Sequence, residues 1–481
     1  MTRDEALAIL ALSQEEGVTR ILELAAKAEQ WDQHYQDNPN TAENEAVSEQ
    51  SDVSPTTPSG MTPTYLKTSK KNKRNRKPGR KKGHKGHRRP PPERVDRRIE
   101  HLLKTCPNCD QAVSHSIRRH QRFIEDTPPT TPQISEHIIH GHWCGNCKKI
   151  VTPKVEDALP RATLGLHLVV FSAWLHYGVG VSVGNLVKLA ANLWGMPVSS
   201  GGLTQAWKNL AWLLEGEYHC IGDKIRSSAI LHADETGWRV NGVTCWLWAF
   251  ATCQYCYYLI DRKRSSAVVQ QVLGVLFPGI LITDFWGAYN QIGALAKQRC
   301  YFHLFTELIK VDKRNHNEAW QRFRKKLSRF MNDAVRLMER RKALEKAVYE
   351  RRKRRLHKRL DELIAQPFDD SDAIRLVKRL KRHRKEMLTF LDYEHVSPYN
   401  NHGEQQMRPA VLTRKVSQQN RSDEGAKAHA ILMSLFRSAE LQGRNPVLYV
   451  LELAKRNIPG RAADIIRIVP VETASPLQLV A

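Results

Sequence analysis

The hydrophobic pattern changes period several times along the chain. Residues 4–31 set Ile9, Leu10, Leu12, Ile21, Leu22, Leu24 and Ala25 at helical spacing around Gly17, which predicts a helical hairpin or a bent helix. Residues 38–64 are rich in Ser, Thr, Pro, Glu and Asn with almost no large apolar side chain. Such a composition cannot offset the entropy of ordering and reads as a linker. Residues 100–155 alternate Val, Ile and His with polar positions, a β-rich pattern, and from Leu164 to Leu214 the period becomes helical, with breaks at 195–202. Four apolar runs then read as strands: Ala229–Asp234, Cys245–Phe250, Tyr255–Ile260 and Ile280–Asp284. Residues 303–391 read as helical with a break near Pro367, and a last helical region, Glu404–Arg456, breaks near Gly443 and Pro446. Strands enclosed by helical stretches predict an α/β core.

Charge sharpens this picture. The chain has 481 residues and a formal charge of +25. Lys67–Arg89 holds 13 basic residues and no acid, and Val311–Phe390 holds 26 basic against 12 acidic residues. These patches carry +27 between them and leave the rest at −2; residues 1–60 even run acidic, 3 basic against 12 acidic. Segregated charge of this kind is an electrostatic footprint for a polyanion, and nucleic acid is the expected partner. The glycines and prolines of the first patch forbid a regular helix and leave an extended arm suited to a phosphate backbone or a minor groove. No apolar run approaches the roughly 18 residues of a membrane span, and the N-terminus carries no apolar signal core, so a cytoplasmic, nucleoid-associated protein is expected.

Nine cysteines in such a chain argue against a disulfide framework. Cys106-Pro-Asn-Cys109 and Cys144-Gly-Asn-Cys147 each have the two-residue gap that lets two thiolates in one turn grip a tetrahedral ion, so together they form a candidate structural Zn²⁺ site. His101, His115, His137, His140 and His142 lie nearby as substitutes for one sulfur. Cys253 and Cys256 share the gap but have no partner pair, and read as packed thiols. A second constellation is acidic. Asp234 and Asp284 each end a predicted strand, 50 residues apart, and Glu404 lies in a predicted helix that Asn400 or Asn401 can cap, with Arg408 at i+4. Two strand-end carboxylates and a third from a helix can hold two Mg²⁺ ions about 4 Å apart for phosphodiester chemistry. The ordinary reading of the same residues is helix caps and a surface ion pair.

At these residues a specific resemblance emerges. His-Ala-Asp234-Glu-Thr-Gly-Trp, Thr-Asp284-Phe-Trp-Gly-Ala-Tyr-Asn and Asn-Asn-His-Gly-Glu404-Gln-Gln-Met-Arg408-Pro resemble the three acidic motifs of the insertion sequence 66 family of transposases. Further matches are Arg-Lys-Pro-Gly with Gly-His-Lys-Gly-His (76–87), the four zinc cysteines, Arg299-Cys-Tyr-Phe-His303, Arg414-Lys-Val-Ser417 leading to Arg421-Ser422, and Ser434 through Tyr449. The similarity runs in order over roughly residues 70–470. The chain departs from the family pattern at Phe285-Trp286 and Gln405-Gln406, which leave the three carboxylates intact.

The resemblance implies a ribonuclease-H-like α/β catalytic core with a large helical insertion, a small zinc module and an N-terminal helical region. Pattern, charge and resemblance together divide the chain into a helical N-terminal region (1–35), a disordered linker (36–66), a basic DNA-binding arm (67–99), a zinc-binding module (100–155), a helical domain (156–222), the first part of the core (223–310), a basic helical insertion (311–395), the last part of the core with the third acid (396–458) and a C-terminal tail (459–481). The resemblance further implies a DDE triad of Asp234, Asp284 and Glu404 that uses two Mg²⁺ (or Mn²⁺) ions to cleave and join DNA at insertion-sequence ends. Asp234 would bridge both ions, and Asp284 and Glu404 would each help to hold one. The partners it implies are double-stranded terminal inverted repeats and target DNA, further copies of the chain forming a homo-oligomer on DNA, and accessory proteins. Phosphate contacts are expected from Lys73, Arg74, Arg76, Lys77, Arg80, Lys81, Lys82 and Lys85 in the arm, and from Arg408, Arg414 and Lys415 beside the third acid. His303 reads either as a phosphate contact or as a packing histidine. Strand alternation turns Glu235 away from Asp234, so alanine is expected to be tolerated there. Two rival readings are a non-catalytic DNA-binding protein, including a decayed transposase, and a metal-dependent nuclease that releases cut ends without joining them.

Overall fold

The computed structural model describes residues 94–112, 121, 123–124 and 131–467. The expected N-terminal helices, the linker, the basic arm from Lys73 to Lys85, His115 and the tail beyond residue 467 lie outside the described residues.

A short hairpin, β1 (His142–Cys144) and β2 (Lys149–Val151), opens the described chain. Four helices follow: α1 (Leu166–Trp174), α2 (Val183–Trp194), α3 (Ser200–Leu213) and α4 (Glu215–Arg226). A π-helical turn at Leu175–Val179 ends α1, and Gly180 stops it with φ +89°. Ser182 and Ser199 cap α2 and α3 by accepting from Asn185 N and Gly202 N, so the Ser-Ser-Gly-Gly segment read as a break is the start of a helix.

The centre is one five-stranded mixed sheet of order β5-β4-β3-β6-β7. β3 (Ile230–Val240), β4 (Val243–Ala251) and β5 (Cys256–Asp261) form an antiparallel meander; β6 (Leu276–Thr283) and β7 (Gly293–Arg299) join it in parallel. The tight β3–β4 turn at Asn241-Gly242 has positive φ at both positions, +48° and +75°, the geometry for which Asn-Gly is suited. A short helix, α5 (Ser266–Leu273), crosses between β5 and β6. The sequence pattern found four of these strands and missed β7. Its Gly-Ala-Leu-Ala-Lys-Gln-Arg run is neither alternating nor β-branched, and its pairing with β6 makes it a strand.

Both faces of the sheet are covered. Leu231, Ala233, Trp248, Phe250 and Leu281 pack with α1, α3, α4 and α5 on one side. On the other, Trp238, Leu247 and Ala249 meet Met407, Ala410 and Met433 from α10 (Asn401–Ser417) and α11 (Asp423–Leu441). On that same side the insertion packs on Ile280 and Ile282. The helical stretch expected at 303–391 consists of α6 (Tyr301–Asp312), which leads from the core into the insertion, and of α7 (Glu318–Glu339), α8 (Lys346–Ala365) and α9 (Ser371–Arg382). It has more breaks than the one expected near Pro367, since loops at 313–317 and 340–345 also interrupt it. α12 (Pro446–Asn457) completes the helices, with Asn445 capping it and Pro446 at its first turn.

Helix α11 also protects the outer edge of the sheet. Ser434 and Ser438, one helical turn apart, accept hydrogen bonds from Tyr258 N and Cys256 N of β5 at 2.9 and 3.0 Å. The outward-facing N–H groups that would otherwise recruit a foreign strand are thereby satisfied. Cys256 is buried in this contact, as expected of a packed thiol, whereas Cys253 is exposed in the β4–β5 turn, which corrects half of that expectation.

Candidate active site

The two aspartates meet through strand register. β3 and β6 pair in parallel at Ile230–Ile280, Leu231–Leu281 and His232–Ile282. Asp234 and Asp284 each stand two residues past the last of these pairs, so a constant offset of 50 residues brings both acids to the same end of the sheet. Asp284 follows the end of β6 as the sequence suggested. Asp234 does not end its strand: β3 continues to Val240, paired with β4, and only the parallel partner stops there. Glu404 enters from the first turn of α10. Among the described residues the oxygens of Asp234, Asp284 and Glu404 do not all lie within 4.8 Å of one another, but the charges of Asp284 and Glu404 both reach Asp234. Burial and the charges of Glu235, Asp284 and Glu404 push the Asp234 carboxyl well above the usual carboxylate range.

Buried groups missed by the sequence reading fix each acid. Asp284 Oδ1 accepts from Trp286 N at 2.8 Å, a turn that aims the carboxylate. The fully buried Arg299 clamps that turn: it donates to Asp284 O (2.7 Å), Thr283 Oγ1 (3.1 Å) and Asn290 Oδ1 (2.8 Å), and Glu386 of the insertion neutralises it at 2.5 Å. Asn400 precedes α10 at the cap position, yet its side chain makes no cap bond. Its amide instead donates to Ala233 O at 2.9 Å and its oxygen meets His232 Nδ1 at 2.9 Å. A Cβ at Gly403 would lie 2.8 Å from Asn400 Oδ1, so glycine leaves room for this arrangement. The signal available in the sequence was the Asn-Asn-His-Gly run before Glu404, which read only as a cap.

Glu235 faces away from Asp234, as alternation requires, but it is buried rather than free. Its Oε1 accepts from Arg264 Nε (3.1 Å) and an Arg264 terminal nitrogen (2.7 Å), and its Oε2 from the Tyr289 hydroxyl at 2.5 Å. The Arg264 guanidinium lies over Trp246 and Trp286, 4.4 and 3.8 Å from the ring centroids. Burial and the Asp284 charge still push the Glu235 carboxyl up to about 7. The expectation that alanine is tolerated at Glu235 therefore gives way to a buried ion pair beside the site.

Among the remaining expected residues, Arg408 and Lys415 are exposed on α10. Arg414 is turned inward and donates to Thr236 Oγ1 (3.1 Å) and Gly237 O, which ties α10 to β3. Of the cysteine pairs, Cys106–Cys109 closes a turn with Asp110 N donating to Cys106 O at 2.9 Å, and Cys144–Cys147 one with Cys147 N donating to Cys144 Sγ at 3.4 Å. The residue after each pair, Asp110 and Lys148, has positive φ (+56° and +49°), so the two turns are alike. Neighbouring backbone N–H groups hold the Cys106 and Cys144 thiols below their ordinary pKa. Among the described residues the four sulfurs do not form one ligand set. His101, His137, His140 and His142 are exposed. The one group of three donors within 4.8 Å among the described residues is Cys300, His303 and Glu404.

A family model for the IS66 transposases matches residues 162–428, more than half of the chain. The chain belongs to the IS66 transposase family. The matched span runs from the helical domain through the sheet and the insertion into α11, and so includes Asp234, Asp284 and Glu404. The chain is also 23% identical over 411 residues to the uncharacterized protein y4jD of Sinorhizobium fredii (strain NBRC 101917 / NGR234), a match that covers 76% of this chain and 77% of that protein. Family membership makes this a transposase-type protein that acts on DNA. Among the described residues no helix is long and apolar enough to cross a membrane.

Proposed function

We propose that the chain is a DDE transposase with a ribonuclease-H-like core, in which Asp234, Asp284 and Glu404 hold divalent metal for cleavage and strand transfer at insertion-sequence ends. The observation that carries this reading is the shared register of Asp234 and Asp284, two positions beyond the paired ends of adjacent parallel strands, with Glu404 close enough to act on Asp234. The donor set fits Mg²⁺ or Mn²⁺. It consists of carboxylate oxygens, and among the described residues none of the three is ion-paired to an arginine or lysine, while the nearby cation Arg264 is engaged by Glu235. A buried carboxyl raised by neighbouring carboxylates, with no arginine or lysine paired to it, is a place for a metal cation.

Bound metal would supply a lowered pKa for the attacking water or 3′-hydroxyl and charge stabilisation at the leaving oxygen. The chain's part is placement. Arg299 and the Trp286 amide hold Asp284 at the strand end, and Asn400 holds the start of the Glu404 helix against the strand of Asp234. The insertion is suited to DNA because its acids are largely engaged inside it. Asp312 holds Trp320 and Arg324, Asp372 holds Arg314 and Arg375, and Asp361 holds Arg384. Arg351, Arg352, Arg354 and Arg355 are exposed along α8, and among the described residues they make no ion pair. We assign phosphate contacts to these, to the arm residues and to Arg408 and Lys415. We retain structural Zn²⁺ for Cys106, Cys109, Cys144 and Cys147. The two matched turns support it, and so does the exposure of Ile134, Ile138, Trp143 and Ile150, which gives this segment little apolar core of its own.

The test is Asp234→Asn, Asp284→Asn and Glu404→Gln on DNA carrying the element's ends. Each variant should lose Mg²⁺-dependent cleavage and keep DNA affinity, since the binding charge lies elsewhere. Cleavage without joining by the wild type would make the protein a nuclease, and absence of cleavage with intact binding would make it a DNA-binding protein.

A further inference from the structure

Two polar atoms beside the triad have no hydrogen-bond partner although both are buried: His303 Nδ1 and Glu404 Oε1, 3.8 Å apart. Buried polar atoms without partners are uncommon in folded proteins, and each asks for an explanation. The third member of the group is Cys300, whose Sγ lies within 4.8 Å of a ring nitrogen of His303 and a carboxylate oxygen of Glu404. The local fold accounts for the convergence. Cys300 is the N-cap of α6 and His303 sits three residues on, so both side chains leave the same side of the first helical turn. The first turn of α10 brings in Glu404.

The surroundings of the sulfur resemble those of a metal thiolate. Asn400 N donates to Cys300 Sγ at 3.1 Å, and the backbone N–H groups of Phe302 and His303 also point at it. Burial pushes this thiol up to about 11 even though the N–H groups work in the opposite direction by favouring the thiolate. Cys300 is fully buried, while His303 and Glu404 are about one-third exposed, so the group is open to solvent from the imidazole and carboxylate side.

We propose that Cys300, His303 and Glu404 form a metal site for a borderline-soft divalent ion of the Zn²⁺ or Co²⁺ class, distinct from the oxygen-only Mg²⁺ site and sharing Glu404 with it. One sulfur, one nitrogen and one oxygen make a donor set that zinc accepts and Mg²⁺ does not favour. Binding displaces the Cys300 thiol proton to solvent and satisfies both orphaned atoms. Sharing Glu404 makes the two ions competitors, so zinc holds the enzyme off; this second half rests on Glu404 being the third carboxylate of the triad.

The experiment uses the full-length protein, freed of bound metal with a chelator, desalted, and titrated with Co²⁺ in excess Mg²⁺. Wild type should take up one more equivalent of Co²⁺ than Cys300→Ala or His303→Gln, with an additional sulfur-to-cobalt charge-transfer absorption beyond that of either variant. Because Cys300 is in the core, His303→Gln at a partly exposed position gives the same readout without opening a cavity. Equal uptake and equal spectra in wild type and His303→Gln would overturn the site. The same proteins are then assayed for Mg²⁺-dependent cleavage with added Zn²⁺, each relative to its own zinc-free rate; inhibition should be at least tenfold weaker in His303→Gln. Loss of the extra equivalent in the variants together with equal zinc sensitivity would keep the metal site and overturn the sharing of Glu404.

Discussion

Asn400 is bonded to the two residues that immediately precede Asp234 on β3: its side chain meets His232 Nδ1 and Ala233 O, both at 2.9 Å. It is fully buried and begins the helix that carries Glu404, with its own carbonyl accepting from Glu404 N at 3.0 Å. One residue thus sets the spacing between the first and third acids. Asn400→Ala should cost about 1–3 kcal/mol, since it leaves Ala233 O and His232 without partners, and should lower cleavage by more than tenfold at unchanged DNA affinity. Asn400→Asp is the informative companion, because it keeps the acceptor for His232 and loses the donor to Ala233 O. Chemical denaturation and cleavage rates on the same preparations check both. A variant that loses stability but cleaves at the wild-type rate would remove the positioning role.

Glu235 supports the second acid from the opposite face of the sheet. Through Tyr289 and Arg264 it ties β3 to the segment after Asp284, and Arg264 in turn lies against Trp286, whose amide holds Asp284. Glu235→Ala leaves Arg264 as a part-buried cation without its partner, and removal of one member of such a pair costs about 3–5 kcal/mol. The variant should unfold at a clearly lower urea midpoint and lose most of its cleavage activity. Glu235→Gln keeps an acceptor for Arg264 and Tyr289 and should fall between the two. Wild-type stability in Glu235→Ala would mean that the ion pair is immaterial.

The sequence revealed positions better than partners. The Asp234 and Asp284 runs were legible because buried parallel strands are continuous apolar stretches, and an acid that terminates one stands out. β7 was not, since an edge strand of Gly, Ala, Lys and Gln gains its structure from β6 rather than from its own propensity. Glu235, Arg264 and Tyr289 are spread over 54 residues, and nothing in their local spacing announces that they meet. Asn400 was seen but assigned to a helix cap, the usual use of Asn before a helix. Its bonds to β3 cross a sequence separation of 167 residues, which only the folded chain supplies. Arg414 reads as a phosphate ligand by charge and neighbourhood, and packing turns it inward.

The last prediction concerns acid stability. His429 on α11 is buried between the edges of Tyr177 and Trp238, at 4.8 and 5.1 Å between ring centroids, and its Nε2 has no hydrogen-bond partner. Burial, with a smaller contribution from His176, lowers its pKa from 6.5 to about 3. Between these values the unfolded chain binds a proton that the folded chain does not, so His429 contributes stability that is fully present above pH 6.5 and is lost as the pH falls toward 3. A depressed folded-state pKa gives this sign for an imidazole because the neutral form is the one the core accepts. His429→Leu removes the titration and keeps an apolar side chain in place. Its unfolding free energy should therefore fall less steeply with acid than that of the wild type, by up to about 1.4 kcal/mol per pH unit. Urea melts at a series of pH values from 7 to about 4.5 measure the two slopes. His232 and His176, also lowered by burial, are common to both proteins and cancel in the comparison. Parallel slopes would show that His429 takes up its proton in the folded state without opening the core.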